Sequence, residues 1–169
     1  TAMGLSYDRL SALKPDIILT TVSAFGNAGP WRDRVGFDSV GQVMSGGAYL
    51  SGGPDGPSRA QTPWVDFATA LHCAYGTMVA LLARRDTGRG RHVQGALLET
   101  AVALTGSALI EQAVLELDRK PQGNQSAGAA PVNIFATTDG WITCQVVGQP
   151  LYQRWARLMG EATWTTDPR

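Results

Sequence analysis

The chain has 169 residues, 44% of them hydrophobic and 17% charged, and its 14 basic residues balance its 14 acidic ones. Because neither charge dominates, we expect no nucleic acid and no anionic membrane surface as a general partner. The apolar runs are interrupted before the roughly 20 residues that a membrane-spanning helix needs, and no signal peptide is expected. The chain opens on a helix-like segment and stops without a terminal element, so we expect a piece of a longer polypeptide.

The two cysteines give no indication of a metal site. Cys73 and Cys144 lie far apart in sequence and lack metal-type spacing. We therefore expect reduced thiols, no metal and a cytoplasmic protein.

The first elements in the chain are typical of an α/β fold. Residues Tyr7 to Lys14 predict a short helix that ends before Pro15. The β-branched run Ile17 to Val22 predicts a parallel strand buried on both faces. It leads into the glycine-rich loop Ser23 to Pro30, and ligands of open α/β sheets bind at the carboxyl ends of strands. Such a loop can also do nothing but turn the chain.

A single acid, Asp66, lies near the start of a long apolar helix predicted after Thr62. Thr62 is expected to cap this helix and Pro63 to occupy its first position, which places Asp66 near unpaired backbone N–H groups. A first-turn Asp is also common as a simple partner of the helix dipole. Apolar residues recur every three or four positions along this helix, and we expect the face that they form to pack against a core. These residues are Phe67, Ala70, Leu71, Ala74, Met78, Leu81 and Leu82.

The elements on either side of that helix are less distinctive. A short helix is predicted from Phe37 to Met44, and a strand from His92 to Gly95 precedes a helix from about Leu98 to Leu117 with Glu99 in its first turn. Five arginines lie in the loop before the long apolar helix and around the end of that helix. They could bind a phosphate, although simple exposure to solvent at a helix end is the favoured interpretation. They are Arg59, Arg84, Arg85, Arg89 and Arg91.

The pattern changes in the last third of the chain. Residues 121–130 have no apolar period and predict a linker loop. Val132 to Thr137 and Trp141 to Val147 flank Thr138-Asp139-Gly140, which favours a hairpin with a primed Asp-Gly turn, and Tyr152 to Met159 predicts a helix. We therefore predict part of a parallel-sheet large domain with flanking helices over 1–120, and the start of a smaller α+β domain over 131–169.

Several short stretches, taken in order, resemble the class III coenzyme A transferases, a family that includes formyl-CoA transferases, carnitine CoA-transferases and the α-methylacyl-CoA racemases. No single stretch is specific, but their order and spacing cover most of the chain. They are Leu19 to Pro30, Val35 to Gln42, Ser45-Gly46, Gly53 to Pro57, Val65-Asp66-Phe67, Thr87 to Gly90, Gly123-Asn124 and Thr138 to Trp141.

The resemblance implies a role for Asp66, since the family's nucleophilic aspartate occupies its position. Its carboxylate would attack the thioester of an acyl-CoA and form an acyl-aspartyl anhydride, then an aspartyl-CoA thioester. The substrates would be acyl-CoA and a small carboxylic acid, with no permanently bound cofactor, and the full-length protein would form a homodimer. The residues expected to contact CoA or substrate are Phe25, Gly26, Asn27, Arg34, Phe37 and Gly128.

The chain departs from the racemase pattern within this family. Phe37 stands where the racemases have a histidine and Gln149 where they have a glutamate, and neither side chain exchanges protons near neutral pH. Of the glycine-rich loop that precedes the small domain in similar transferases, only Gly128 remains. We therefore expect a transferase. A racemase-like isomerase and a non-catalytic CoA-binding partner subunit are the alternatives.

Overall fold

A computed structural model describes residues 4–166 of the chain. The helices within these residues are α1 (Tyr7–Leu13), α2 (Asp38–Met44), α3 (Gly47–Leu50), α4 (Trp64–Thr87), α5 (Leu97–Leu104), α6 (Gly106–Leu115) and α7 (Gln149–Leu158), followed by a 3₁₀ helix over Ala162–Thr166. The strands are β1 (Leu19–Ser23), β2 (His92–Ala96), β3 (Val132–Ala136) and β4 (Trp141–Gln145).

Strands β1 and β2 form the parallel sheet that the sequence predicts. Their register runs from Leu19 opposite His92 to Ser23 opposite Ala96. The predicted α/β class is therefore confirmed. The expectation that β1 is buried on both faces is wrong for the described residues, because β1 has a single strand neighbour there and Val22 stays 54% exposed.

Helix α4 packs on this sheet through small side chains. Its buried positions are Val65, Thr69, Cys73 and Ala80. A methyl group added at Gly76 would lie 2.9 Å from Val93 on β2, so the glycine allows helix and strand to approach closely.

The large apolar side chains of α4 do not form the core that their spacing predicts. Phe67, Leu71, Met78 and Leu82 are 57–71% exposed. Spacing identifies an apolar face of a helix but does not determine which face packs on a neighbouring sheet. In α4, the face with the smaller side chains packs against the strands. An 18-residue window of α4 has a mean hydropathy of 1.4, so by length and composition alone α4 could cross a membrane, a property that it shares with core helices of soluble proteins.

The predicted helix from Leu98 to Leu117 is two helices, α5 and α6, bent by 61°. The break falls at Thr105, whose Oγ1 lies 3.2 Å from the carbonyl oxygen of Ser45 and 3.1 Å from that of Ala101. The next residue is Gly106, which has low helix propensity. A tertiary contact and a glycine together divide the helix.

The described chain forms two compact units. The first comprises the residues up to Tyr49 and Ser58–Arg119, and the second comprises Leu50–Pro57 and the residues from Lys120 onward. Within the second unit, the Gly123 N–H donates to the Gly52 carbonyl at 2.7 Å. A loop that precedes α4 in sequence thus belongs to the second unit.

The second unit contains the predicted hairpin, with β3 antiparallel to β4 from Val132 opposite Gln145 to Ala136 opposite Trp141. Its turn differs from the prediction. A type I′ turn needs positive φ at both central residues and a type II′ turn needs it at the first, and neither Asp139 nor Gly140 has a positive φ. The loop is instead closed by the Thr137 N–H donating to the Gly140 carbonyl, while Thr137 Oγ1 donates to Asp139 Oδ1.

Candidate active site

Asp66 lies at the carboxyl end of the parallel strands. The preceding residue, Val65, is fully buried and forms a core cluster with Leu97 and Ala101 of α5, and Ala24, just after β1, packs against that cluster. The core therefore fixes the first turn of α4 beside the ends of both strands. In open α/β sheets this edge is where ligands bind.

A second carboxylate, Asp38 at the start of α2, holds that first turn in place. Asp38 Oδ1 accepts the N–H of Val65 at 2.8 Å and the N–H of Asp66 at 3.2 Å. Asp38 Oδ2 accepts from Gln42 Nε2 at 2.6 Å. Gln42 also binds both peptide groups of Ala60, accepting its N–H at 2.8 Å and donating to its carbonyl at 3.2 Å. We call Asp38 and Gln42 the clamp.

The clamp is buried and replaces the predicted cap. Asp38 is 8% exposed and Gln42 is 1% exposed. Thr62 does not cap α4 with its side chain; instead its carbonyl oxygen accepts the Trp64 N–H at 2.9 Å, and Pro63 occupies the cap position. The cap was misassigned because the residue that supplies it lies 27 residues upstream of Val65.

The backbone N–H groups around Asp66 are already in use, contrary to the expectation that they are unpaired. Those of Val65 and Asp66 are bound by Asp38, and that of Phe67 donates to the Pro63 carbonyl at 3.2 Å. These three groups are therefore not free to stabilise an oxyanion.

The side chain of Asp66 has the opposite environment to that of Asp38. Asp66 is exposed, and within residues 4–166 its carboxylate has no hydrogen bond or ion pair. Its backbone is fixed by the clamp while its oxygens remain accessible to a reactant. A positioned, accessible carboxylate is the arrangement that covalent catalysis by Asp requires.

The glycine-rich loop after β1 adds a small apolar pocket at the same edge of the sheet. Gly26 has a φ of +84° and donates its N–H to Ser23 Oγ at 3.0 Å, which turns the chain sharply at the strand end. Phe25 packs edge-on against Trp31 at 5.5 Å. The pocket measures about 230 Å³ and is lined by Phe25, Ala28, Pro30, Trp31 and Leu98.

A further acid belongs to this neighbourhood. A methyl group added at Gly26 would lie 3.3 Å from Glu99 Oε1, so the Glu99 carboxylate borders the loop. The sequence assigned Glu99 only to a helix start. The structure adds that Glu99 limits the side chain that position 26 can carry.

The remaining predicted contact residues have varied positions. Asn27 is exposed in the loop, and Arg34 lies over the Trp31 ring at 5.2 Å. Phe37 precedes Asp38 at the start of α2 and is 71% exposed. Gly128 belongs to the second unit, where its N–H donates to Ser126 Oγ at 3.2 Å.

The clamp is the feature that sequence reasoning missed. Asp38 and Gln42 are four residues apart, the spacing at which side chains meet on a helix, and both fall within the Val35 to Gln42 stretch. That spacing was the available signal. Within residues 4–166, no group of three or more His, Cys, Asp or Glu side chains could hold a metal ion.

The whole chain matches a family model. CoA-transferase family III covers residues 1–169. Among curated relatives, the succinyl-CoA–D-citramalate CoA-transferase of Chloroflexus aurantiacus is 36% identical over 98% of this chain and 42% of its own length. The succinyl-CoA–L-malate CoA-transferase beta subunit of the same organism is 32% identical over 93% of this chain and 40% of its own length.

The fold is also similar to solved structures. A CAIB/BAIF family protein from Brucella suis superposes with a TM-score of 0.82 and 29% identity, over 99% of this chain and 45% of that protein. The chain spans about two fifths of the length of the curated relatives that it matches. The family model matches all 169 residues of this chain, and this match together with the relatives shows that the chain belongs to CoA-transferase family III.

Proposed function

We propose that the full-length protein containing this chain transfers coenzyme A from an acyl-CoA donor to a carboxylic acid acceptor, with Asp66 as the covalent nucleophile. The observation that carries the proposal is the contrast between two aspartates at the first turn of α4. Asp38, on α2, fixes the backbone of Asp66, and the Asp66 side chain is left exposed. Relatives named as succinyl-CoA transferases support the reaction class.

The exchange begins at the donor thioester. An Asp66 oxygen attacks the thioester carbonyl carbon, the carbon–sulfur bond breaks, and CoA leaves as a thiolate. The thiolate then attacks the Asp66 carbonyl carbon of the acyl-aspartyl anhydride. The donor acid leaves as a carboxylate, and Asp66 now carries CoA as a thioester.

The second half repeats these steps with the acceptor. The acceptor carboxylate attacks the aspartyl thioester carbonyl and releases the CoA thiolate, which then attacks the acceptor's acyl carbon. The new acyl-CoA forms and the Asp66 carboxylate is regenerated. No net proton or electron is required, so the residues need only to position the reactants, stabilise oxyanions and exclude water.

Two further properties belong to the proposal. We place the protein in the cytoplasm, where Cys73 and Cys144 stay free thiols, as they are in the structure. We also propose a homodimer for the full-length protein. The exposed apolar face of α4, which includes Phe67 and Leu71, is compatible with burial by further protein.

Chemical trapping tests the nucleophile. The full-length protein is incubated with acyl-CoA, treated with hydroxylamine, and digested for mass spectrometry. We expect a hydroxamate on the peptide that contains Asp66. The matched control is Asp86→Asn, which removes an exposed acid from the other end of the same helix and should leave the adduct unchanged. Modification of a different residue, with full activity in Asp66→Ala, would contradict the assignment.

A second candidate function follows from one relative, which is named as a beta subunit. The chain would then belong to a CoA-binding subunit that depends on a different partner chain for turnover. This candidate predicts CoA binding without exchange for the purified full-length protein. Exchange activity of the protein on its own would exclude it.

A further inference from the structure

A pocket lies at the end of the first unit opposite Asp66. It measures about 560 Å³ and is lined by Tyr7, Ser11, Pro15, Thr87, Arg89, Gly90 and Arg91. The Gly90 N–H donates to the Pro15 carbonyl at 3.0 Å, and the Leu19 N–H donates to the Arg91 carbonyl at 3.1 Å. These bonds place the pocket at the amino-terminal ends of β1 and β2.

The length of α4 separates this pocket from the proposed active site. Asp66 lies in the first turn of α4 and Thr87 is its last residue. At 1.5 Å per residue, the two positions are about 30 Å apart along the helix axis. An occupant of the pocket therefore takes no direct part in chemistry at Asp66.

Two guanidinium groups of the pocket are available to a ligand. Within residues 4–166, the side chains of Arg89 and Arg91 have no hydrogen bond or ion pair. The neighbouring acid Asp16 is already paired, with Lys14 at 2.7 Å and with Arg84 at 3.7 Å. Its negative charge is therefore offset by other cations.

The end of α4 does not need Arg89 and Arg91 for its own stabilisation. The Gly88 N–H caps the Arg84 carbonyl at 2.8 Å, and Thr87 Oγ1 donates to the Ala83 carbonyl at 2.8 Å. Arg84 and Arg85 supply positive charge in the last turn. Compensation of the helix dipole therefore does not account for the positions of Arg89 and Arg91.

An aromatic wall completes the pocket. The Tyr7 ring stacks on His92 at 5.4 Å with an interplanar angle of 16°. His92 is itself held at both ring nitrogens, by Thr21 at 2.9 Å and Gln94 at 3.1 Å. Tyr7 therefore rests on a positioned neighbour and offers a fixed apolar surface with a hydroxyl at its edge.

We propose that this pocket binds a small phosphate monoester, with Arg89 and Arg91 on the phosphate and Tyr7 beside the remainder of the molecule. The planar guanidinium fork matches phosphate oxygens in geometry and charge. The Ser11 and Thr87 hydroxyls already donate to carbonyl oxygens, so the donors left for a ligand are the arginines and the Tyr7 hydroxyl. The volume lies within the range of small-molecule sites.

Calorimetric titration of the full-length protein with AMP, inorganic phosphate and adenosine tests the site. Saturating CoA is present throughout, so that the proposed active site is filled. We expect AMP and phosphate to bind, and adenosine, which lacks the phosphate, to bind at least about tenfold more weakly than AMP.

Two double variants locate the binding. Arg89→Gln with Arg91→Gln should weaken AMP binding at least about tenfold. Arg32→Gln with Arg85→Gln makes the same change of charge at positions that do not line the pocket, and should leave the affinity within about twofold. Circular dichroism checks that both variants fold. Absence of AMP and phosphate binding, equal weakening in both variants, or displacement of CoA by AMP would each overturn the proposal.

Discussion

The starts of α2 and α4 each carry an aspartate, and the two aspartates have opposite environments. Asp38 is buried, and both of its oxygens accept hydrogen bonds from Val65, Asp66 and Gln42. Asp66 is exposed, and its carboxylate has no partner within residues 4–166. A carboxylate that already binds donors on both oxygens is a poor nucleophile and a good support, which suits Asp38 to positioning and leaves Asp66 as the proposed nucleophile.

The largest expected effect is on the carboxylate of Asp66. Asp66→Ala removes the proposed nucleophile, so kcat for CoA exchange should fall by at least about 10³-fold. Stability should change by less than about 0.5 kcal/mol, because the exposed side chain has no hydrogen bond or ion pair within residues 4–166. Exchange kinetics and urea unfolding of the full-length protein measure the two quantities. Retained kcat would assign the chemistry to another group.

The next effect is on the supporting carboxylate. Asp38→Ala leaves two first-turn N–H groups without an acceptor and removes one of the two acceptors of Gln42 Nε2. The free energy of unfolding should fall by about 3 kcal/mol, and that of Asp38→Asn, which keeps one oxygen acceptor, by about half as much.

A matched control exists on the same stretch of chain. The Asp33 side chain is 90% exposed and, among the described residues, pairs only with its neighbour Arg32. Asp33→Ala should therefore change the free energy of unfolding by less than about 0.5 kcal/mol. Equal effects of Asp33→Ala and Asp38→Ala in urea unfolding would show that the clamp does not stabilise α4.

Gln42→Leu removes the second residue of the clamp and leaves Asp38 in place. Leucine fills a similar volume but leaves Asp38 Oδ2 and the Ala60 N–H unpaired. We expect a loss of about 2 kcal/mol in the free energy of unfolding. The proposed nucleophile, Asp66, is untouched, so any fall in kcat should be far smaller than that of Asp66→Ala. A loss of activity as large as that of Asp66→Ala would mean that Gln42 contacts the reactants.

The sequence predicts the parts of this site that depend on residues close together in the chain. It does not predict the parts that depend on contacts between distant residues. Helix α1 ends before Pro15, and α2 ends at Met44, as local signals predict. Asp66 was identified because it is the single acid in the first part of an apolar helix. Its cap could not be identified, because Asp38 lies on a different helix and only the fold brings the two together.

Tertiary contacts also explain the other errors. The apolar spacing of α4 pointed to Phe67 and Leu71, but the sheet packs on Thr69 and Cys73, whose smaller side chains allow close approach. The break between α5 and α6 depends on the contact of Thr105 with Ser45, which is distant in sequence. Composition and spacing predict local conformation. They do not determine which face of a helix packs on a neighbouring element when both faces are sterically possible.

The smallest expected effect is on a third carboxylate, Asp16, which pairs at the surface. The hydrogen bond from Lys14 lowers the pKa of Asp16 below its ordinary value of 3.8. The pair therefore contributes stability above that ordinary pKa, and the contribution is lost as the pH falls through the lowered value. Asp16→Asn should slightly lower the Tm at pH 7, with a smaller difference at high salt and none in strong acid. An effect that persists in strong acid would point to lost packing.

An oxygen isotope gives the most direct test of the central claim that Asp66 reacts while Asp38 holds it. In the proposed exchange, an oxygen of the acceptor carboxylate remains on Asp66 after each turnover. The full-length protein is run with an acceptor acid labelled with ¹⁸O, and the peptides containing Asp66 and Asp38 are compared by mass spectrometry. We expect ¹⁸O in the Asp66 carboxylate and none in that of Asp38. Turnover without label on Asp66, or with label on Asp38, would contradict it.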